Sequence, residues 1–103
     1  MDEVLRKNQR ALVALKGQLQ SNNLTTPALI ENISCTGALL QCFAQLEKNQ
    51  SAEISITLSP GVVCGPLKAE CVWSDKTHIG LRFAKLGSLE SSTLEKLVHY
   101  HRL

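Results

Sequence analysis

Aromatic side chains are scarce in this chain, with two Phe, one Tyr and one Trp in 103 residues. A core must therefore be filled by Leu, Ile, Val and Ala. A platform for single-stranded nucleic acid, which stacks successive bases on several aromatics, is disfavoured. No apolar run approaches the ~18 uninterrupted residues of a membrane span. The start, Met-Asp-Glu-Val-Leu-Arg, has no basic segment followed by a long apolar one. Cys35, Cys42, Cys64 and Cys71 contain no Cys-x-x-Cys pair, which argues against a zinc ribbon or a thioredoxin-like site. Free thiols and a reducing cytoplasm are the expectation. His78, His99 and His101 make no metal spacing with the cysteines, so no metal site is expected. No Gly-rich phosphate loop precedes a helix, and no nucleophile has a base and an orienting partner in its sequence context, so catalytic residues are not expected either.

What is present reads as one globular unit over residues 1–103. Hydrophobic residues make up 44% and charged residues 19%, a balance that folds, and the length suits a single core. The formal net charge of +2 is too small to steer a nucleic acid. Five of the 11 basic residues, Arg6, Lys7, Arg10, Lys96 and Arg102, lie at the two ends. A short anionic ligand near the N-terminus fits that placement better than a long polyanion.

Hydrophobic periodicity predicts six strands and a helix. Val13, Leu15 and Leu19 alternate with polar or small residues over 11–20, and Ser21-Asn22-Asn23 is turn chemistry before a second strand over 26–33. Ala38 to Cys42 forms a short apolar run after the small, polar segment 32–37. A polar stretch over 46–51 precedes the alternation of Ile54, Ile56 and Leu58, which Pro60-Gly61 ends. Residues 67–73 and 79–83 alternate on either side of Ser74-Asp75-Lys76 and read as a hairpin. From Ser88 the period changes: Leu94, Leu97, Val98 and His101 fall at helical spacing, with Ser92-x-x-Glu95 in the form of a capping box. The expected fold is mainly all-β, a six-stranded antiparallel barrel over 11–84 with a C-terminal helix over 88–102 covering one opening. A sandwich is the other arrangement these strands allow.

Two segments carry candidate chemistry. Arg6-Lys7-Asn8-Gln9-Arg10 sets two guanidinium groups four residues apart in a leader before the first strand, where planar donor forks suit a guanine edge or phosphate oxygens. Asn32-x-Ser34-x-x-Gly37 is an ordinary turn sequence, yet its amide and hydroxyl can also hydrogen-bond a base or a phosphate, and Gly37 permits close approach. Trp73 matches the parity of Leu67, Ala69 and Cys71, which suits a core or rim position, while an indole beside a base is the sharper alternative. Lys7 is a further candidate phosphate contact. Cys35 lies inside the turn.

Arg-x-x-x-Arg before the first strand, Asn-x-Ser-x-x-Gly between the second and third, and a late Ile79-Gly80-Leu81-Arg82-Phe83 strand together resemble the PilZ domain family. The resemblance runs from Arg6 through the closing helix. It implies a six-stranded barrel that binds cyclic di-GMP on its outer surface, with Arg6 and Arg10 as primary ligands. Asn32 and Ser34 would hold the second guanine or its phosphate, and Gly37 would permit the turn. Leu5, where some members carry Arg, points to one ligand molecule per site. The implied role is a cytoplasmic receptor, monomer or weak dimer, that relays the messenger level to an unidentified downstream protein through ordering of its Arg-x-x-x-Arg leader. The alternative is an interaction adaptor in motility or pilus biogenesis with weak or no nucleotide binding.

Overall fold

The computed structural model describes residues 11–102, with side chains through His99. Six strands, β1 (Ala11–Ser21), β2 (Leu24–Ile33), β3 (Gly37–Gln41), β4 (Ser51–Ser59), β5 (Val62–Ser74) and β6 (His78–Phe83), precede one helix, α1 (Ser88–Arg102). All pairings are antiparallel, and the strands close into a barrel in the order β1-β2-β3-β6-β5-β4. Closure removes the free edges an open sheet of this size would leave.

Alternation sets the interior. Leu19, Ile30, Leu40, Ile54, Ile56, Leu67, Cys71 and Ile79 are each 1% exposed or less, so aliphatic side chains and a thiol fill the barrel. Asn22 and Asn23 both have positive φ and join the Ser21↔Leu24 pair in a two-residue hairpin, where Asn tolerates the left-handed backbone that matches strand twist. The strands run slightly longer than periodicity indicates. β2 starts at Leu24, and β5 starts at Val62 because its first half, with Gly65-Pro66, carries little alternation yet still pairs with β4.

Both barrel ends are covered, by different means. The helix follows β6 and packs on β1 and β5, burying Leu94 and Val98 with Leu97 half-buried beside them. Its start lies four residues before the expected capping box: the Ser91 amide already donates to the Gly87 carbonyl at 3.0 Å, so Ser92 is interior to the helix and caps nothing. At the other end, residues 42–50 cross from β3 to β4, which are not neighbours. This segment, polar by composition, supplies Leu46 to the core at 5% exposure. Ser74 Oγ donates to the Leu46 carbonyl at 2.7 Å, and Gln50 Nε2 reaches Ser21 Oγ at 3.0 Å, which fixes the crossing. Among the described residues no helix is long and apolar enough to cross a membrane.

Candidate ligand-binding face

The Asn-Ser-Gly segment is the connection between β2 and β3, at the helix-covered end. Its organiser is Ser34, a polar side chain only 2% exposed. Ser34 Oγ accepts the amides of Thr36 at 3.1 Å and Gly37 at 3.2 Å, and the Ser34 amide donates to the Gly37 carbonyl at 2.9 Å. The hydroxyl oxygen thus satisfies two backbone donors of the turn itself. Gly37 is needed for contact, not for an unusual dihedral. A Cβ there would stand 2.2 Å from the Leu81 carbonyl oxygen, so the missing side chain lets β3 lie hard against β6.

Asn32 faces the outside of the barrel. A register shift between Ile30 and Asn32 makes Glu31 an extra residue, and the pairings Leu12↔Asn32 and Asn32↔Leu39 set Asn32 in one row with those side chains. The row continues across Leu39↔Gly80 to Trp73, which pairs with Gly80. It spans five strands, and at ~4.8 Å per strand Asn32 and Trp73 stand roughly 14 Å apart. Leu12 is 80% exposed and Trp73 47%. Asn32 Oδ1, by contrast, is covered and has no hydrogen-bond partner among the described residues. A shielded amide oxygen without a donor is unfavourable by about 1–3 kcal/mol. It is the feature of this face that asks for a ligand or a further segment of chain.

Trp73 belongs to this outer row and not to the core. A second register shift, between Cys71 and Trp73, reverses its parity relative to Leu67, Ala69 and Cys71. Its indole covers the bare Cα of Gly80, where a Cβ would fall 2.5 Å from Nε1. Gly80 and Trp73 thus make a flat, half-exposed apolar surface. Beside the row, Glu31 Oε1 meets His78 Nε2 at 3.0 Å, and Arg82 Nη2 donates to Glu70 Oε1. Burial, with Glu95 adding to it, pushes the Cys35 thiol of the turn above its ordinary pKa, so this thiol is a poor nucleophile. All four cysteines are free.

The structure therefore sets Asn32 and Trp73 in one outer row, with Ser34 and Gly37 in the turn that follows Asn32. Arg6, Lys7 and Arg10 lie outside the described residues. The described chain begins at Ala11, paired with Ile33, so it enters the barrel directly beside Asn32. The depressions described for this surface lie elsewhere. One of about 980 Å³ is lined by Phe43, Lys48, Asn49 and Asp75 at the other barrel end, and one of about 600 Å³ by Ser51, Lys68 and Glu70; neither contains any of these four residues. Leu12 and Leu39, which share the row with Asn32 and Trp73, are candidate residues of this face that the sequence does not single out. Leu39 sits in an apolar run with no alternation to tell its outward side from its inward one.

A closed six-stranded barrel with a serine-centred turn and a helix at the same end defines a small barrel-type domain. The chain belongs to the PilZ domain family, whose model matches residues 5–100. Solved structures similar in fold include the Bacillus subtilis inhibitor of motility MotI/DgrA (TM-score 0.76, 17% identity, 90% of this chain and 49% of that one). Another is the PilZ domain of YcgR from Escherichia coli, determined with c-di-GMP (TM-score 0.76, 12% identity, 91% and 88%). A third is the PilZ domain of CeSA from a cellulose-synthesizing bacterium (TM-score 0.74, 14% identity, 93% and 100%). The chain spans about half the length of MotI/DgrA. No curated protein matches it in sequence.

Proposed function

We propose that this domain is a receptor for cyclic di-GMP and acts by binding, without catalysis. The observation that carries the reading is the covered, unpartnered Asn32 Oδ1, set in an outer row between Leu12 and the Trp73 surface and next to the point where the chain arrives from Arg10. Family membership and the YcgR domain's c-di-GMP complex support it. In this reading Arg6 and Arg10 grip guanine edges and phosphate from the leader, with Lys7 as a further phosphate contact. The Asn32 amide reads a guanine donor, and Trp73 offers its face to a base. Ser34 and Gly37 act by holding the turn in shape, since the serine oxygen already serves two amides and Gly37 is pressed against β6. Occupancy is passed to a partner protein through the leader, and motility is a candidate process because the MotI/DgrA relative is an inhibitor of motility.

The test is isothermal titration calorimetry of the chain with cyclic di-GMP, beside Arg10→Ala and a GTP control. Saturable heat from the wild type alone is expected, with one ligand per chain given Leu5. No heat and no competition at high nucleotide concentration would replace this reading with that of an interaction adaptor.

A further inference from the structure

Arg82 is the cation that β-sheet register sets directly opposite Gly37 of the turn. On its other side it pairs with Glu70. The tight approach at Gly37 sharpens this placement: the position a Gly37 Cβ would take lies 3.4 Å from the Arg82 Cα, so β6 at Arg82 abuts the end of the turn. On β6 the inward side chains are Ile79, Leu81 and Phe83, and the outward positions are His78, Gly80 and Arg82. Arg82 therefore shares the outer face with the Asn32–Trp73 row. It stands two residues along the strand from Gly80, a step of roughly 7 Å.

The guanidinium is well supplied with donors and poorly supplied with partners. Its side chain is 62% exposed, and its partner among the described residues is one oxygen of Glu70, reached from Nη2. A planar fork of five donors has more to offer than one contact uses. Glu70 lies on the side of Arg82 away from the turn, and an exposed pair of this kind, screened by solvent, holds weakly. The hydrogen-bonded pair of Glu31 and His78 on this face is closed within itself. Arg82 is thus a cation lightly held, with donors unused among the described residues, beside the turn and on the same outer face as Trp73.

We propose that Arg82 is a third ligand-binding arginine, which leaves the Glu70 carboxylate for a phosphate of the cyclic dinucleotide when the site fills. The inference rests on the receptor reading above and adds a residue and a competitor to it. Phosphate is a stronger bidentate partner for a guanidinium than one exposed carboxylate oxygen. Glu70 holds the side chain in the empty state and competes with the ligand for it. Removing Arg82 and removing Glu70 must then move affinity in opposite directions.

The experiment is calorimetric titration of cyclic di-GMP into the wild type, Arg82→Gln, Glu70→Gln and the double variant, with melting curves for each. Arg82→Gln is expected to weaken binding about tenfold or more, and Glu70→Gln to tighten it up to about fivefold. The double variant should match Arg82→Gln, because Glu70 acts only through that arginine. A purely structural cross-strand pair would instead lower the melting temperature of both single variants and leave both affinities alike. If Arg82→Gln fails to fold, Glu70→Gln decides, and unchanged or weaker binding in it overturns the proposal. Wild-type binding with Arg82→Gln within twofold overturns the role of Arg82 and leaves the receptor reading standing. A wild type that binds no cyclic di-GMP overturns both.

Discussion

Two glycines of this barrel make a similar demand on space with expected consequences of very different size, because backbone blocks one and an exposed side chain the other. A methyl at Gly37 would stand 2.2 Å from the Leu81 carbonyl oxygen, about 0.8 Å inside the shortest approach that real Cβ atoms show. The obstruction is backbone, held in the β3–β6 ladder by the Gly37↔Arg82 and Ala38↔Leu81 pairs, so relief requires the two strands to part. Overpacking of this kind is unfavourable by about 3 kcal/mol. A methyl at Gly80 would stand 2.5 Å from Trp73 Nε1, but an indole that is 47% exposed can tilt into solvent. That change should remain within about 1 kcal/mol. For a domain of this size the difference corresponds to melting temperatures lowered on the order of 15 °C for Gly37→Ala and a few degrees for Gly80→Ala. Urea unfolding followed by circular dichroism measures both, and the fluorescence of the single Trp73 should change in folded Gly80→Ala. A Gly37→Ala protein within 1 kcal/mol of wild type, or a Gly80→Ala protein less stable than it, would refute the reasoning.

Ser34→Ala removes the acceptor of two turn amides in a position 2% exposed, and a loss of about 1–2 kcal/mol in urea unfolding is expected, with weaker cyclic di-GMP binding through the displaced turn. Leu94→Ala, at a fully buried helix position over the barrel end, should lose about 2–5 kcal/mol in the same assay. Asp75 accepts the amides of Thr77 at 2.9 Å and His78 at 2.7 Å, and these bonds, that of Thr77 first, hold its carboxyl below the usual value. A folded-state pKa below the unfolded one means stability that is present above the unfolded value and lost as pH falls through the folded one. The urea midpoint of wild type should therefore exceed that of Asp75→Asn at neutral pH, and the gap should close in acid; a gap independent of pH would contradict the assignment.

The barrel was legible because period-two alternation survives wherever a strand has one wet face, as in Ile54-Ser55-Ile56. It faded where both faces are covered or the backbone is irregular. The first half of β5 escaped notice because Val62 and Val63 are both exposed and Gly65-Pro66 interrupts the pattern. Leu46 was hidden in a polar segment whose burial is dictated by topology: a chain that must cross a barrel end offers a side chain to the opening. The Asn-Ser-Gly turn could be found by residue type, but the division of labour within it could not. Whether a serine oxygen faces a ligand or its own backbone depends on bond distances that no spacing encodes. Counting in twos from Leu67 suits Trp73 to a core or rim position, one of its two alternatives, and one extra residue in β5 turns it outward instead.

Such irregularities set this face apart as the candidate site. A regular strand cannot choose which face each residue serves, since alternation decides it. A bulge can, by inserting one residue and re-aiming the side chains beyond it. Register shifts occur beside Leu12 on β1, beside Asn32 on β2 and beside Trp73 on β5, and all three residues fall in the same outer row. The two shifts on the β4–β5 pair lie elsewhere, toward the Pro60-Gly61 hairpin. Each re-aimed residue is unfavourable for an isolated domain, as two exposed apolar side chains and one covered amide oxygen without a donor. Burial against a ligand would remove these penalties together, because a purine-bearing anion offers flat surface to apolar side chains and N–H donors to Asn32.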